Sequence, residues 1–144
     1  MNPKLRTMKI VQNKDTIQIV REQDVVLFRN RVKEFAVKIA MGIVNQTKLI
    51  TAASELVRNM LKYGGGGMVL IESVTEDRNI GIRLTFADKG PGIMDIDLAM
   101  KDGYSTGKSL GMGLPGTKRL VNEFAIKTEP GKGTTVTILK WKMG

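Results

Sequence analysis

The sequence predicts a two-layer α/β sandwich in which a mostly antiparallel sheet of about five strands is covered on one face by three or four helices. Three observations predict it: two amphipathic helical stretches follow one another between residues 24 and 63, two later segments read as β-hairpins, and neither an internal repeat nor a long linker divides the 144 residues. A chain of this length makes one domain and buries roughly two thirds of the surface its extended form would expose. The domain is expected over residues 16–144, after a leader or edge strand over 1–15.

Taken in order, Met8–Val11 and Thr16–Val20 are short β-like runs around Asn13-Lys14, able to pair as a hairpin or to form one edge strand. From Asp24 the apolar residues Val25, Phe28, Val32, Phe35, Ala36 and Ile39 recur at helical spacing, and Gly42 stands where that helix would stop. Asn45 or Thr47 can cap a second helix, whose Leu49, Ala53, Leu56 and Met60 form a stripe up to Tyr63, and Gly64 to Gly67 end it. Met68–Val74 and Ile80–Ala87 read as a hairpin around a polar loop at 75–79. A short helix over 95–102, a Gly- and Ser-rich loop over 103–113 and a helix over 114–122 follow, with Pro115 tolerated in the first turn. Phe124–Thr128 and Thr134–Trp141 close the chain as a hairpin.

Composition removes several kinds of chemistry. With no Cys and no His, the chain cannot hold a disulfide, a thiolate nucleophile, a Cys/His zinc site or a Ser-His-Asp triad. A reducing compartment suits it. No apolar stretch of signal-peptide length follows the N-terminus, and no run approaches the ~18 apolar residues of a membrane span. The expectation is a cytoplasmic protein with no membrane role. The 23 Lys+Arg against 14 Asp+Glu give a net charge of +9, which suits an acidic partner, an anionic membrane or nucleic acid. The basic residues are scattered from Lys4 to Lys142 without interleaved aromatics, so no nucleic-acid partner is expected.

Three groups of residues carry possible chemistry. Gly107-Lys108-Ser109 resembles the end of a Walker A loop, but position 102 is Asp where that loop needs its first glycine. Gly111-Met112-Gly113-Leu114-Pro115-Gly116 matches a dinucleotide fingerprint, yet a loop and not a strand precedes it. What remains is either a set of turn glycines or a loop whose backbone N–H groups bind an anion at the start of a helix. Asp88, at the end of a strand and followed by Gly90 and Gly92, is either a turn residue or a carboxylate that accepts an N–H from an exocyclic amine such as that of adenine. Glu55 and Asn59 lie four residues apart beside the buried stripe of the second helix. They are either part of a solvated face or a base and a Mg²⁺ ligand aimed into a groove.

The order Glu55-Leu-Val-Arg-Asn59, Asp88-Lys-Gly-Pro-Gly-Ile93, Gly111-Met-Gly113-Leu and Gly131-Lys-Gly-Thr134 resembles the Bergerat-fold ATP-binding superfamily of gyrase, Hsp90, MutL and histidine kinases. Within it, Ser-Glu-Leu-Val-Arg-Asn and Gly-Tyr-Ser-Thr-Gly followed by Gly-Met-Gly-Leu-Pro-Gly-Thr-Lys-Arg-Leu are similar to the anti-sigma-factor serine/threonine kinases, above all the RsbT-type switch kinases of the stressosome. The resemblance covers residues 16 to 141. It implies ATP and Mg²⁺ as cofactors, Glu55 as catalytic base, Asn59 as metal ligand, and Asp88, Gly90, Gly92 and Ile93 around adenine. It further implies Gly107, Lys108, Gly111, Met112, Gly113 and Leu114 in or beside a lid along the phosphates, and Thr134 assisting adenine recognition. The implied function is phosphorylation of STAS-domain proteins in a stress-response partner switch, followed by engagement of a phosphatase partner. The alternative is an anti-sigma module that sequesters a sigma factor, with nucleotide as a conformational ligand.

Overall fold

The computed structural model describes residues 8–90, 100 and 113–144. Among the described residues five strands form one sheet: β1 (Ile10–Ile19), β2 (Gly67–Glu76), β3 (Asn79–Asp88), β4 (Glu123–Glu129) and β5 (Gly133–Trp141). Their spatial order is β1-β2-β3-β5-β4, and every neighbouring pair is antiparallel. Three helices are found among the described residues: α1 (Glu22–Lys38), α2 (Ile43–Gly64) and α3 (Gly113–Arg119). The predicted sandwich is therefore observed, with a sheet that is antiparallel throughout.

Alternation along the strands decides which face meets the helices. Val69 and Ile71 of β2, Ile82, Leu84 and Phe86 of β3, and Val136 and Ile138 of β5 are buried in the core with Ile17 and Ile19 of β1. The cross-strand partners Val69–Phe86, Ile71–Leu84, Leu84–Ile138 and Phe86–Val136 confirm that these side chains share one face. Val25, Phe28, Val32 and Ala36 of α1 and Leu49, Ala53, Leu56, Val57 and Met60 of α2 complete the core. Both helices present the stripes their spacing predicts. The Phe28 and Phe86 rings meet edge to face, with centroids 5.7 Å apart. Asp15 of β1 and Arg31 of α1 form an ion pair that ties the edge strand to the helical layer.

Several boundaries differ from the sequence reading for local reasons. Of the two arrangements open to the N-terminal runs, the edge strand is the one formed, and the boundary expected at position 15 falls inside it: β1 pairs from Ile10 to Ile19 with β2, absorbing an irregularity between Val11 and Asn13 as a bulge. Gly42 does not stop the first helix. It is the N-cap of α2, and its carbonyl accepts the N–H of Gln46. Asn45 and Thr47 consequently lie inside α2 and cap nothing: Asn45 donates to the carbonyl of Lys142, and Thr47 donates to that of Ile43. α1 ends at Lys38, and the chain reverses through Ala40 at φ 60. Between β2 and β3 the loop shrinks to Asp77-Arg78, because Thr75 and Glu76 still pair with Ile80 and Asn79. The helix expected over 114–122 begins at Gly113 and ends at Arg119. The helix expected over 95–102 lies outside the described residues, apart from Met100.

Candidate functional site: an aspartate held by backbone at the end of the central hairpin

The site is built from the C-terminal end of α2, the end of β3 and the start of β5. Four successive glycines make the first piece. α2 runs to Gly64, and Gly65 then takes the left-handed conformation at φ 73, a C-cap that glycine adopts without steric cost. Gly66 at φ 98 leads directly into β2. Because Gly67 pairs with Asp88, the end of the helix and the end of β3 are brought together.

Asp88 is half-buried, and its carboxylate is oriented by main-chain donors alone among the described residues. Its Oδ1 accepts the N–H of Gly90 at 2.9 Å and the N–H of Thr134 at 3.2 Å. One oxygen is thus engaged twice by backbone, and Oδ2 accepts from none of the described residues. Gly133 enters β5 at φ 113, and a Cβ there would come 2.1 Å from the carbonyl oxygen of Asp88. Only a glycine permits that approach, which is what carries the Thr134 N–H to Asp88. The Thr134 hydroxyl lies 3.0 Å from that of Thr128, whose own hydroxyl donates to the carbonyl of Gly133. The closing hairpin is stiffened at the point where it meets the carboxylate.

On α2, Glu55 and Asn59 are half-buried and flanked by buried Ala52, Leu56 and Met60. Arg58, between them in sequence, is exposed. Neither Glu55 nor Asn59 makes a hydrogen bond or ion pair to another described residue, so a carboxylate and an amide remain available on one flank of the helix. Asn59 stands five residues before Gly64, about 7.5 Å along the axis, and Glu55 one turn further. α2 also packs against α3, whose Gly113 opens the helix at φ 70 and whose Leu114 joins the edge of the core. Thr117 of α3 is fully buried and donates to the carbonyl of Gly113 at 2.9 Å.

Of the residues singled out in the sequence, the fold brings Asp88, Gly90 and Thr134 into direct contact, and sets Glu55, Asn59, Gly113 and Leu114 on the two helices of the same layer. Gly92, Ile93, Gly107, Lys108, Gly111 and Met112 lie outside the described residues. Two positions that sequence reasoning did not count among the site residues belong beside Asp88: Gly64 and Gly133. The signal for Gly64 was the run of four glycines, which exceeds what a helix end needs. As a donor set, the amide oxygen of Asn59 fits a Mg²⁺ ion that takes its other ligands from phosphate and water, the usual habit of that ion.

Residues 44–144 match the family model described as histidine kinase-, DNA gyrase B-, and HSP90-like ATPase. The chain is 39% identical to the serine/threonine-protein kinase RsbT of Bacillus subtilis, across 91% of this chain and 98% of that protein. It is 33% identical to an anti-sigma F factor of Geobacillus thermodenitrificans, across 78% of this chain and 80% of that one. A crystal structure of the RsbU and RsbW domains of a Mycobacterium tuberculosis protein superposes with a TM-score of 0.62 at 18% identity, a likeness of fold. That match covers 90% of this chain and 32% of the longer mycobacterial one. By its motifs, its sheet and these relatives, the chain belongs to the GHKL family of ATPases and kinases, in the branch of the anti-sigma-factor serine/threonine kinases.

Proposed function

We propose that the chain uses Mg·ATP to phosphorylate a Ser or Thr hydroxyl of a STAS-domain protein in a cytoplasmic partner-switching pathway of the stressosome type, and afterwards engages a phosphatase partner. The observation that carries the nucleotide half of this reading is the Asp88 carboxylate, which is fixed by the N–H groups of Gly90 and Thr134 and has Oδ2 left over. A fixed acceptor of that kind suits the exocyclic amine of adenine.

In the reaction, the γ-phosphorus gains a bond to the incoming hydroxyl oxygen and loses its bond to the bridging oxygen, which leaves with ADP. The hydroxyl proton passes to the Glu55 carboxylate, the free base on α2. Asp88 holds the purine, with Thr134 and Gly90 setting its direction. Asn59 would hold Mg²⁺, which when bound neutralises charge on the phosphates. Gly92 and Ile93 complete the purine pocket, while Gly107, Lys108, Gly111 and Met112 line the phosphates and exclude water. Gly113 and Leu114 anchor that segment to α3. Most of the acceleration in such a transfer comes from positioning and charge, and little from covalent chemistry by the protein.

Incubation with γ-labelled ATP, Mg²⁺ and STAS-domain proteins from the source genome tests this. Label in a Ser or Thr of one of them is expected. Binding of ATP without transfer to any of them overturns the kinase reading. The anti-sigma F factor relatives favour a second reading, in which the chain sequesters a sigma factor and nucleotide sets its shape. A stable sigma complex formed without phosphoryl transfer would select that alternative.

A further inference from the structure

Gly64 closes α2, and its place against Asp88 leaves no room for a side chain. A Cβ on it would lie 2.6 Å from Cγ, 2.8 Å from Cβ and 2.8 Å from Oδ2 of Asp88. Contacts that short cannot be relieved by swinging aside a flexible tip. A single carbon separates the Asp88 carboxylate from its backbone, and Oδ1 is already held by the N–H groups of Gly90 and Thr134. Gly90 closes on the same helix end, since a Cβ on it would come 2.6 Å from Cα of Gly64. Conformation does not explain the glycine: Gly64 lies within the helix and is not one of the positive-φ glycines, whereas its neighbour Gly65 is. What position 64 requires is space.

We propose that Gly64 is a positioning residue that determines purine specificity. By letting the end of α2 back directly onto Asp88, it fixes the carboxylate so that Oδ2 is the oxygen presented to the ligand. With Oδ1 saturated by main-chain donors, the carboxylate answers one further N–H, and the site selects a purine that carries an exocyclic amine over one that lacks it. A side chain at 64 pushes the carboxylate off this line without touching the nucleotide itself. This inference rests on the reading of Asp88 as the purine acceptor.

The test compares ATP with purine riboside triphosphate, in which hydrogen replaces the amine, by calorimetry on the full chain at saturating Mg²⁺. The unaltered protein is expected to prefer ATP by about tenfold or more, the worth of a hydrogen bond to a charged group. Gly64→Ala is expected to bring that ratio close to one by weakening ATP while leaving the analogue little changed. Gly65→Ala strains a left-handed cap but meets nothing within 4 Å, so it should lower the melting temperature and keep the ratio. A ratio that survives in Gly64→Ala, or a parallel loss of both ligands, overturns this inference alone. Equal binding of both ligands by the unaltered protein overturns the reading of Asp88, and this inference with it. Should Gly64→Ala fold poorly, it is placed in an Asp88→Gly background. There it should be better tolerated than on its own, and equal or greater instability of the pair contradicts the proposed contact.

Discussion

The body of α2 and its C-terminal end are built on opposite rules. Along its length Leu49, Ala53, Leu56 and Val57 fill space against Phe28, Val32 and the sheet, and what fixes the helix there is the apolar surface removed from water. At its C-terminal end Gly64 fits because it fills nothing, and what is fixed is the carboxylate of Asp88. Side-chain volume makes the first region stable, and its absence makes the second one accurate. Glu55 and Asn59 stand between the two, on the flank of a helix whose position the core determines and whose end the carboxylate meets. A site arranged in this way should separate cleanly from the stability of the fold when either region is altered.

The sharpest separation concerns Glu55. Glu55→Gln keeps the shape of the side chain and removes the base, so phosphoryl transfer is expected to fall by about 10²–10⁴-fold, the usual contribution of a positioned general base. ATP affinity and thermal stability should hardly change, because Glu55 bonds to no other described residue. Single-turnover transfer measured beside calorimetric binding checks this, and undiminished transfer removes Glu55 from its role. Phe28→Ala should do the reverse. It empties a fully buried site that meets Phe86 edge to face, and is expected to cost roughly 3–5 kcal/mol in denaturant unfolding. Below the unfolding transition, the preference of the folded protein for ATP over its amine-free analogue should persist.

The same contrast explains what could be read from the sequence. The stripes of α1 and α2 and the inward rows of β2, β3 and β5 were legible because burial repeats with the period of the element. The place of Asp88 at a strand end was legible too, as was the pairing of Glu55 with Asn59 on one flank. What was not legible depends on neighbours remote in sequence. Nothing near Gly64 announces that Asp88 will stand behind it, and nothing near Gly133 shows that its missing side chain lets the Thr134 N–H reach the same carboxylate. The α2 boundary failed for a related reason. Asn45 and Thr47 are good caps by type, but Asn45 is drawn to the Lys142 carbonyl from the last strand, and Gly42 takes the cap position. In the N-terminal segment the sequence left a hairpin and an edge strand both open around Asn13-Lys14, and pairing with β2 decides for the strand.

Asp88→Asn sharpens the comparison from the other side. The amide keeps an oxygen for the N–H groups of Gly90 and Thr134, so the folded state should be retained. Opposite the purine, however, it presents NH₂ where the carboxylate presented Oδ2, and two donors then face each other. ATP affinity is expected to fall by about 1.5–3 kcal/mol, the scale of a hydrogen bond to a charged group, with the melting temperature nearly unchanged. Titration of the variant with ATP and with the amine-free analogue checks it. A loss confined to ATP supports the acceptor role, and an unchanged ATP affinity contradicts it.

The smallest effect belongs at the start of α1, next to the glycine run, where a second aspartate is held by backbone outside the site. Asp24 Oδ2 accepts the N–H groups of Val20 and Arg21, both at 2.9 Å, at the start of α1. These bonds favour its ionised form and hold its carboxyl below the usual value of 3.8. A carboxyl whose folded value is depressed stabilises the protein in full above the unfolded value, and that contribution disappears as pH falls through the folded one. Asp24→Asn should therefore lower the melting temperature slightly at neutral pH, and the two melting curves should converge as the pH is taken below about 3.8. At neutral pH the ATP preference should be the same with and without Asp24. A change in preference on removing the Asp24 charge at neutral pH would mean that the entrance of α1 and the glycine end of α2 are coupled.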